Sequence, residues 1–175
     1  DYIQYSLLLI ECYQTMGKIN DAEKHLEDIY PIVKGRYEDF NYERDYYLYK
    51  GMNARKLMRL NEAETYYKKA YEIDKKRNLK LNFITDYRYF ADLAFVRDEF
   101  DKAIIYAKKG LSWTNIVHTA NQDSASIAQL YNTLGMAYYL KSYNDSAAYF
   151  LEKALQTGKK FFRYGNHFLS RVYYN

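Results

Sequence analysis

An internal repeat with a period of 40 to 44 residues sharply limits the folds that this sequence can adopt. Ala22, Ala63, Ala103 and Ala147 each follow a short polar turn, and each is followed by an apolar residue four positions later. Repeats of this length are typical of arrays in which similar units of supersecondary structure stack on one another. The chain is therefore expected to fold as a stack of such units.

Two further positions recur with the same period, and they indicate close packing between helices. Positions twelve residues before and seven residues after each of these alanines are mostly small. Antiparallel helices joined by a tight turn approach closely only where a small side chain faces the partner helix. Each unit is therefore predicted to be a helical hairpin. The residues predicted to pack in the repeats are Ala22, Gly51, Ala63, Ala70, Ala91, Ala103, Gly110, Gly135, Ala147 and Ala154.

The pattern also predicts where the helices lie. The first helices are expected near 2–17, 42–58, 80–97 and 124–141, the second helices near 20–34, 61–77, 100–115 and 144–159, and a further first helix from about 162. Asp and Asn residues of the turns, such as Asn20, Asn61 and Asp101, are placed to cap the second helices. Pro31 is expected to bend or end the helix near 20–34.

Two residues carry more specific expectations. Tyr143 lies one position earlier, relative to its alanine, than Ile19, Leu60 and Phe100 do, which predicts a fourth turn of a different shape. Cys12 lies in an apolar stretch of the first helix and is expected to be buried.

The fourth unit carries a series of residues that resembles the tetratricopeptide repeat. This series is Tyr131, Leu134, Gly135, Tyr138, Ala147, Leu151 and Ala154. The second and third units keep much of it, whereas the first has Ile10 at a position that is usually small. The resemblance implies an all-α fold, a right-handed superhelix (solenoid) of antiparallel helical hairpins. The period is longer than the family's usual 34 residues, as in the extended-repeat branch found in bacterial regulator and sensor proteins.

The expected organisation is one repeat domain over residues 1–175. Its units are placed near 2–36, 42–77, 80–117 and 124–160, with a partial fifth unit at 162–175. Both ends run within the helical pattern, so the sequence is expected to be a piece of a longer protein with further domains. The compartment is expected to be the cytoplasm, or the periplasm if the parent protein is a membrane sensor.

The titratable residues do not form a recognisable catalytic or metal-binding pattern. Cys12 is the one cysteine, and His25, His118 and His167 fall in different units. Glycine-rich phosphate loops do not occur in the sequence, and no run of 18 apolar residues predicts a membrane span. The sequence therefore predicts neither an enzyme nor a cofactor.

The basic residues favour a solvated surface over a nucleic-acid site. The net charge is only +4, and pairs such as Lys68-Lys69 and Lys108-Lys109 lie late in second helices, where cations complement the helix dipole. Interspersed acids such as Glu64 and Glu72 break a basic stripe. Nucleic-acid binding is consequently ranked below binding to protein.

The resemblance implies that the first helices line a concave groove. Read from the repeat register, the groove residues are Gln4, Glu11, Asp45, Met52, Arg55, Arg88, Asp92, Phe95, Gln129, Asn132, Met136 and Tyr139, with Leu7, Gln14, Leu48 and Thr85 in the same rows and His167 and Arg171 extending them. This mixture of charges, amides, methionines and aromatics suits a protein or peptide segment. The clamp for a C-terminal carboxylate that some family members carry is not expected, since Leu7, Glu11, Leu48 and Met52 occupy its positions.

The repeat pattern and the mixed groove favour two functions. The first is a non-catalytic scaffold that binds a protein or peptide segment in the groove. The alternative is a sensory or regulatory region of a bacterial transcription regulator or sensor histidine kinase. A groove that is merely solvated, or filled by another part of the same protein, is the structural alternative to both.

Overall fold

The structure is a computed structural model that describes residues 2–34, 42–115 and 124–161. These residues form α1 (Tyr2–Thr15), α2 (Ile19–Val33), α3 (Tyr42–Lys56), α4 (Leu60–Lys76), α5 (Asn82–Val96), α6 (Phe100–Ser112), a 3-10 turn (Trp113–Asn115), α7 (Ser124–Leu140) and α8 (Asn144–Phe161). The predicted all-α class is confirmed, and the predicted helix bounds agree to within three residues. The helix predicted from residue 162 lies outside the described residues.

The helices group into two compact units. The first unit, Asp1–Asn78, contains α1 to α4, and the second unit, Leu79–Asn175, contains α5 to α8. Each unit consists of two antiparallel hairpins, α1–α2 with α3–α4 and α5–α6 with α7–α8. The single domain over residues 1–175 stays a prediction.

The small residues of the repeat lie where helices pack most closely. All ten are buried, and the seven alanines among them are at most 3% exposed. A Cβ atom placed on Gly51 would lie 2.4 Å from Cε1 of Tyr67, and one on Gly135 would lie 2.6 Å from Cγ of Leu151. Both distances are too short for real carbon atoms, so α3 and α7 can approach their hairpin partners this closely only with glycine at these positions.

The four turns inside the hairpins share one backbone conformation. Each contains a residue with positive φ five positions before the repeated alanine: Gly17, Met58, Asp98 and Ser142. In the first turn the amide of Lys18 donates to the carbonyl of Tyr13 at 2.8 Å, and that of Gly17 donates to the carbonyl of Gln14 at 3.3 Å. The other three turns repeat both hydrogen bonds. This is the Schellman arrangement, which satisfies the last carbonyls of the first helix.

Two expectations about these turns are wrong. The first concerns the fourth turn, which has the same conformation as the others, because Ser142 takes the positive φ of 63° and the Tyr143 amide donates to the Tyr138 carbonyl at 2.9 Å. Tyr143 is shifted only as a side chain, and its ring packs edge-on against Tyr138.

The second wrong expectation is that the Asn and Asp residues of the turns cap the second helices. The N-cap positions of α2, α4 and α6 are Lys18, Arg59 and Glu99, none of which makes a capping side-chain hydrogen bond. Asn20, Asn61 and Asp101 lie within the first turn instead, because the Schellman turn places the N-cap only one residue after the positive-φ position. Helix α2 runs through Pro31 and ends two residues later, at Val33.

Aromatic rings fill the space around the small residues in each unit. In the first unit Tyr30 stacks on Tyr46 with ring centroids 4.8 Å apart. In the second unit Phe150 stacks on Tyr138 at 5.5 Å, and Phe83 packs edge-on against Trp113 at 4.9 Å. The small residues therefore set the distance between helices, and the rings close the gaps that remain.

Replacement of Gly51 by alanine tests the close approach of α3 and α4. Alanine is intrinsically favoured over glycine inside a helix by about 1 kcal/mol, but here the added methyl group overlaps the Tyr67 ring. We expect Gly51→Ala to lower the free energy of unfolding by about 1–3 kcal/mol in urea titrations. At exposed Ala148 in α8 no ring opposes the intrinsic preference for alanine, so the control Ala148→Gly should also lose stability. A Gly51→Ala chain that is more stable than the parent would contradict this packing.

The shared turn conformation predicts a stabilising change at Met58. This residue is 65% exposed and has a φ of 58°, a conformation that costs a residue with a side chain roughly 1–2 kcal/mol. Met58→Gly is expected to raise the free energy of unfolding by about 0.5–1 kcal/mol. Met58→Ala, which keeps the strain and removes the side chain, should change it little. Gly17→Ala should destabilise the chain because of its positive φ, although nothing lies within 4 Å of the added methyl group. Equal stability of the parent chain and the three variants would refute a cost of positive φ at these turns.

Candidate functional site

In the first unit the predicted groove residues divide into exposed, half-buried and buried side chains. Gln4 and Glu11 of α1 are exposed, and Asp45, Met52 and Arg55 of α3 are half-buried. The Tyr49 hydroxyl donates to Oε2 of Glu11 at 3.4 Å, which links α3 to α1.

Three neighbouring positions of the same rows are not available to a ligand. Leu7, Leu48 and Gln14 are 7%, 8% and 2% exposed, respectively. Leu7 belongs to a core cluster that also contains residues of α2 and α3, and Gln14 binds Tyr49 and Asn53 of α3. The surface that the first unit can offer is consequently narrower than the sequence predicts.

A buried polar network fixes α1 against α3. The Gln14 amide donates to Oδ1 of Asn53 at 2.7 Å and to the carbonyl of Tyr49 at 3.1 Å. Asn53 in turn donates to Oε2 of Glu23 in α2 at 2.9 Å, and Lys50 pairs with the other oxygen of Glu23. Since buried polar groups favour the arrangement that satisfies them, this network holds the register between the two first helices.

Asp45 is attached to a buried ion pair at the other end of α3. Arg44 donates through Nε to Asp74 at 2.8 Å and through Nη1 to Asp45 at 3.1 Å, and Asp74 is fully buried. Burial raises the pKa of Asp45 above its usual value. The Arg44 charge opposes this rise, and the neighbouring Asp74 carboxylate adds to it. The Asp45 side chain is 37% exposed, so its carboxyl group lies at the surface and is still affected by the charges of buried Arg44 and Asp74.

The raised pKa of Asp45 makes a prediction about pH. A carboxyl group whose pKa is higher in the folded chain contributes stability below its unfolded pKa, near 3.8, and loses that contribution as the pH rises through the folded pKa. Relative to the parent chain, Asp45→Asn should therefore gain stability as the pH rises above about 4. Urea unfolding across this range measures the effect, with the exposed Asp28→Asn as the control. A difference that does not change with pH would contradict the assignment.

In the second unit the structure brings predicted residues from two repeats into contact. The Arg88 guanidinium of α5 donates to Oε1 of Gln129 in α7 at 2.7 Å, and its central carbon lies 3.7 Å from the centre of the Tyr89 ring. One turn earlier, the hydroxyls of Thr85 and Ser126 are 3.3 Å apart. These pairs form two rungs of a polar ladder that joins the first helices of successive hairpins.

Around this ladder lie the other predicted residues of the second unit. Asp92 and Phe95 of α5 and Asn132 and Met136 of α7 are half-buried, and Tyr139 is 59% exposed. We call this surface of α5 and α7, from Thr85 to Phe95 and from Ser126 to Tyr139, the α5–α7 surface. It offers a fixed guanidinium, a carboxylate and an amide beside apolar side chains. His167 and Arg171, which would extend it, lie outside the described residues.

Two features of the surface were not predicted from the sequence. The first is a cleft of about 890 Å³ between α3 and α4, whose lining includes Tyr47, Lys68 and Lys69. Lys69 lies 5.0 Å from the centre of the Tyr47 ring, and Lys68 pairs with Glu64 at 2.6 Å. Lys69 and Lys68 therefore already contact a ring and a carboxylate of the protein itself, which agrees with the prediction that these basic pairs lie on a solvated surface.

The second unpredicted feature is an apolar row on α1. Tyr2, Tyr5 and Leu9 are 64%, 69% and 40% exposed, and Cys12 is also exposed, so its predicted burial is wrong. The reason is that α1 is apolar on two faces and the structure covers only the face with Ile3, Leu7 and Ile10. The spacing of three, four and three residues between the exposed side chains is the signal that could have revealed this row in advance.

The titratable residues of the described ranges form no metal site. No group of three or more His, Cys, Asp and Glu side chains there could hold a metal ion. His25 stacks on the Tyr13 ring with centroids 5.4 Å apart. His118 lies outside the described residues. Among the described helices, none is long and apolar enough to cross a membrane.

Comparison with known proteins identifies a fold. No protein-family model and no curated protein matches the chain. Among solved structures, the chain is similar to the apo form of RapI, a helical repeat protein, with a TM-score of 0.68 and 17% identity. The match covers 92% of this chain and 44% of the RapI chain, so this chain spans less than half the length of RapI. It is also similar to BtubC from P. vanneervenii, with 14% identity, a TM-score of 0.47, and coverage of 94% of this chain and 83% of that one. The likeness to RapI shows the all-α repeat fold and fits a tetratricopeptide-type repeat.

Proposed function

We propose that this chain is a non-catalytic scaffold that binds a protein or peptide segment on its first helices. The observation that carries the proposal is the Arg88–Gln129 contact at the centre of the α5–α7 surface. Arg88 is held by Gln129 and by the Tyr89 ring, so its guanidinium is ordered before a ligand arrives. A side chain that is already ordered loses less conformational entropy on binding.

The chemistry of the α5–α7 surface favours a segment with alternating polar and apolar anchors. Arg88 suits a carboxylate or a backbone carbonyl, whereas Asp92 suits an amide or a cation. Phe95, Met136 and Tyr139 supply apolar contact area, and aromatic residues, methionine and arginine are enriched in protein interfaces. A polyanion fits less well, because Asp92 lies on the same helix face as Arg88, one turn away.

A non-catalytic role agrees with the distribution of reactive groups. On the α5–α7 surface the Arg88 guanidinium is engaged by Gln129 and by the Tyr89 ring. The pKa of Tyr46 is raised by burial and by neighbouring tyrosines, but this ring stacks in the core of the first unit. A raised pKa in such a place is a consequence of packing and does not indicate a reactive group.

A second candidate is the regulatory region of a bacterial transcription regulator or sensor histidine kinase. The observation that favours it is the period of 40 to 44 residues, which resembles the arrays of regulator proteins. This role includes the first, since such a region would also act by holding a protein or peptide. The complete reading frame of the parent gene tests it: a helix-turn-helix or kinase domain would support the regulatory role, and a frame with neither would refute it.

The binding surface is tested by reversing the charge of Arg88. Peptides selected from a displayed random library against the full chain would be measured by fluorescence anisotropy. We expect Arg88→Glu to weaken the selected peptides about tenfold or more, since it removes the ordered donor and adds a repelling charge. Asp92→Arg should change the preference between acidic and basic peptides.

The matched control is Lys109→Glu on α6, which makes the same change of charge at an exposed position of a second helix. Circular dichroism would confirm that each variant is folded. Folded Arg88→Glu that binds the same peptides with unchanged affinity would refute the α5–α7 surface as the binding site.

A further inference from the structure

Four of the exposed apolar residues of α1 form a continuous row, and Leu8, which is 52% exposed, lies beside it. We call Tyr2, Tyr5, Leu9 and Cys12 the outer row of α1. They are separated by three, four and three residues, so they lie along one side of the helix. Three of them are 40% to 69% exposed, and all four contact water although they are apolar or aromatic. An exposed apolar stripe on an ordered helix marks a surface that another element covers.

The repeat register identifies the equivalent residues in α7. Aligning Ile10 with Gly135 places Ile127, Leu130, Leu134 and Ala137 at the positions of the outer row. The last three are 0% exposed and share one core cluster with Ile104 and Ala107 of α6. A Cβ placed on Gly110 of α6 would lie 2.8 Å from Leu130. In α7, therefore, this row is covered by the second helix of the preceding hairpin.

The same row is covered in α3. Aligning Ile10 with Gly51 gives Tyr46, Lys50 and Asn53 as the equivalents of Tyr5, Leu9 and Cys12. Tyr46 stacks on Tyr30 of α2, and Lys50 and Asn53 both bind Glu23 of α2. In both cases the second helix of the hairpin that precedes in the chain makes the contact.

We propose that the outer row of α1 is the docking face for the second helix of a further hairpin, which belongs to the same polypeptide and precedes Tyr2. The chemistry of the row describes that helix. The row has no charged residue that corresponds to Lys50, so the helix does not need an acid like Glu23. It presents small apolar residues at the spacing of Ala103, Ala107 and Gly110 in α6, which leave room for Tyr5 and Leu9.

A second copy of the chain fits the row less well. Two copies that met through α1 would place large side chains, Tyr2, Tyr5 and Leu9, against the same large side chains. Helices approach closely where at least one side is small, and Cys12 is the smallest residue of the row. The small face of α6 in another copy is not available, because α7 covers it within its own chain.

Cys12 provides a direct measurement, because it is the one cysteine of the sequence and it lies in the row. The test compares the full chain with an extended chain in which a copy of residues 82–125 is joined ahead of Asp1. In the extended chain the copy of α6 precedes Tyr2 by the same number of residues as α6 precedes Ile127, the residue aligned with Tyr2. We expect the rate of Cys12 alkylation by iodoacetamide to fall about tenfold or more in the extended chain, because the docked helix must open before the thiol reacts.

The matched control carries Ile104→Glu and Ala107→Glu in the copied segment alone, the two residues of α6 that share a core cluster with the row of α7. These changes put charges on the docking face of the copied helix, so alkylation should return to the rate of the unextended chain. Equal rates in the two extended chains would overturn the proposal, whether or not circular dichroism shows that the copied segment is helical.

The remaining outcome concerns a second copy. Sedimentation of the unextended chain would reveal a dimer, and Tyr5→Glu would show whether it forms through the outer row. A dimer that protects Cys12 and is dissociated by Tyr5→Glu would assign the row to self-association and overturn the preceding hairpin. A monomer with reactive Cys12 is the expected result, and neither result depends on peptide binding at Arg88.

Discussion

The close approach of paired helices at glycine and alanine governs the architecture of this protein. Gly51 lies under the Tyr67 ring and Gly135 lies under Leu151, at distances that leave no room for a side chain. Neighbouring aromatic rings, such as Tyr30 on Tyr46 and Phe150 on Tyr138, fill the space that remains. The Schellman turns complete each hairpin, because they reverse the chain within a few residues and satisfy the carbonyl groups at the end of the first helix.

Apolar packing alone would permit the hairpins to slide, and buried polar contacts remove this freedom. In the first unit Gln14, Asn53 and Glu23 connect three helices. In the second unit Arg88 and Gln129 connect two. The contacts specify the register between the helices, because a shift along the helix axis would separate these donors from their acceptors. The contact with Gln129 also orders Arg88, which a ligand on the α5–α7 surface would meet. The packing of the hairpins therefore prepares the surface for the proposed binding.

Much of the fold could be predicted from the sequence, whereas less of the candidate site could. Helix positions and buried small residues follow from spacing along the chain. The expectations that were wrong concern the surroundings of single residues. Tyr143 indicated a distinct fourth turn, but the backbone accommodates a positive φ at Ser142 as it does at Gly17. Cys12 was expected to be buried because its neighbours in sequence are apolar, yet burial depends on whether another helix lies against that face.

The amino-acid sequence alone establishes that this protein is an array of helical hairpins, since the periodic small residues act through helix geometry and tight turns, which are local. Packing between the hairpins determines which of the two apolar faces of α1 is covered. It also determines that Arg88 meets Gln129, which lies far along the chain, and that Leu7, Gln14 and Leu48 are withdrawn from the surface. The physical reason is that helical periodicity states which side chains share a face, whereas the partner of that face depends on how the hairpins pack.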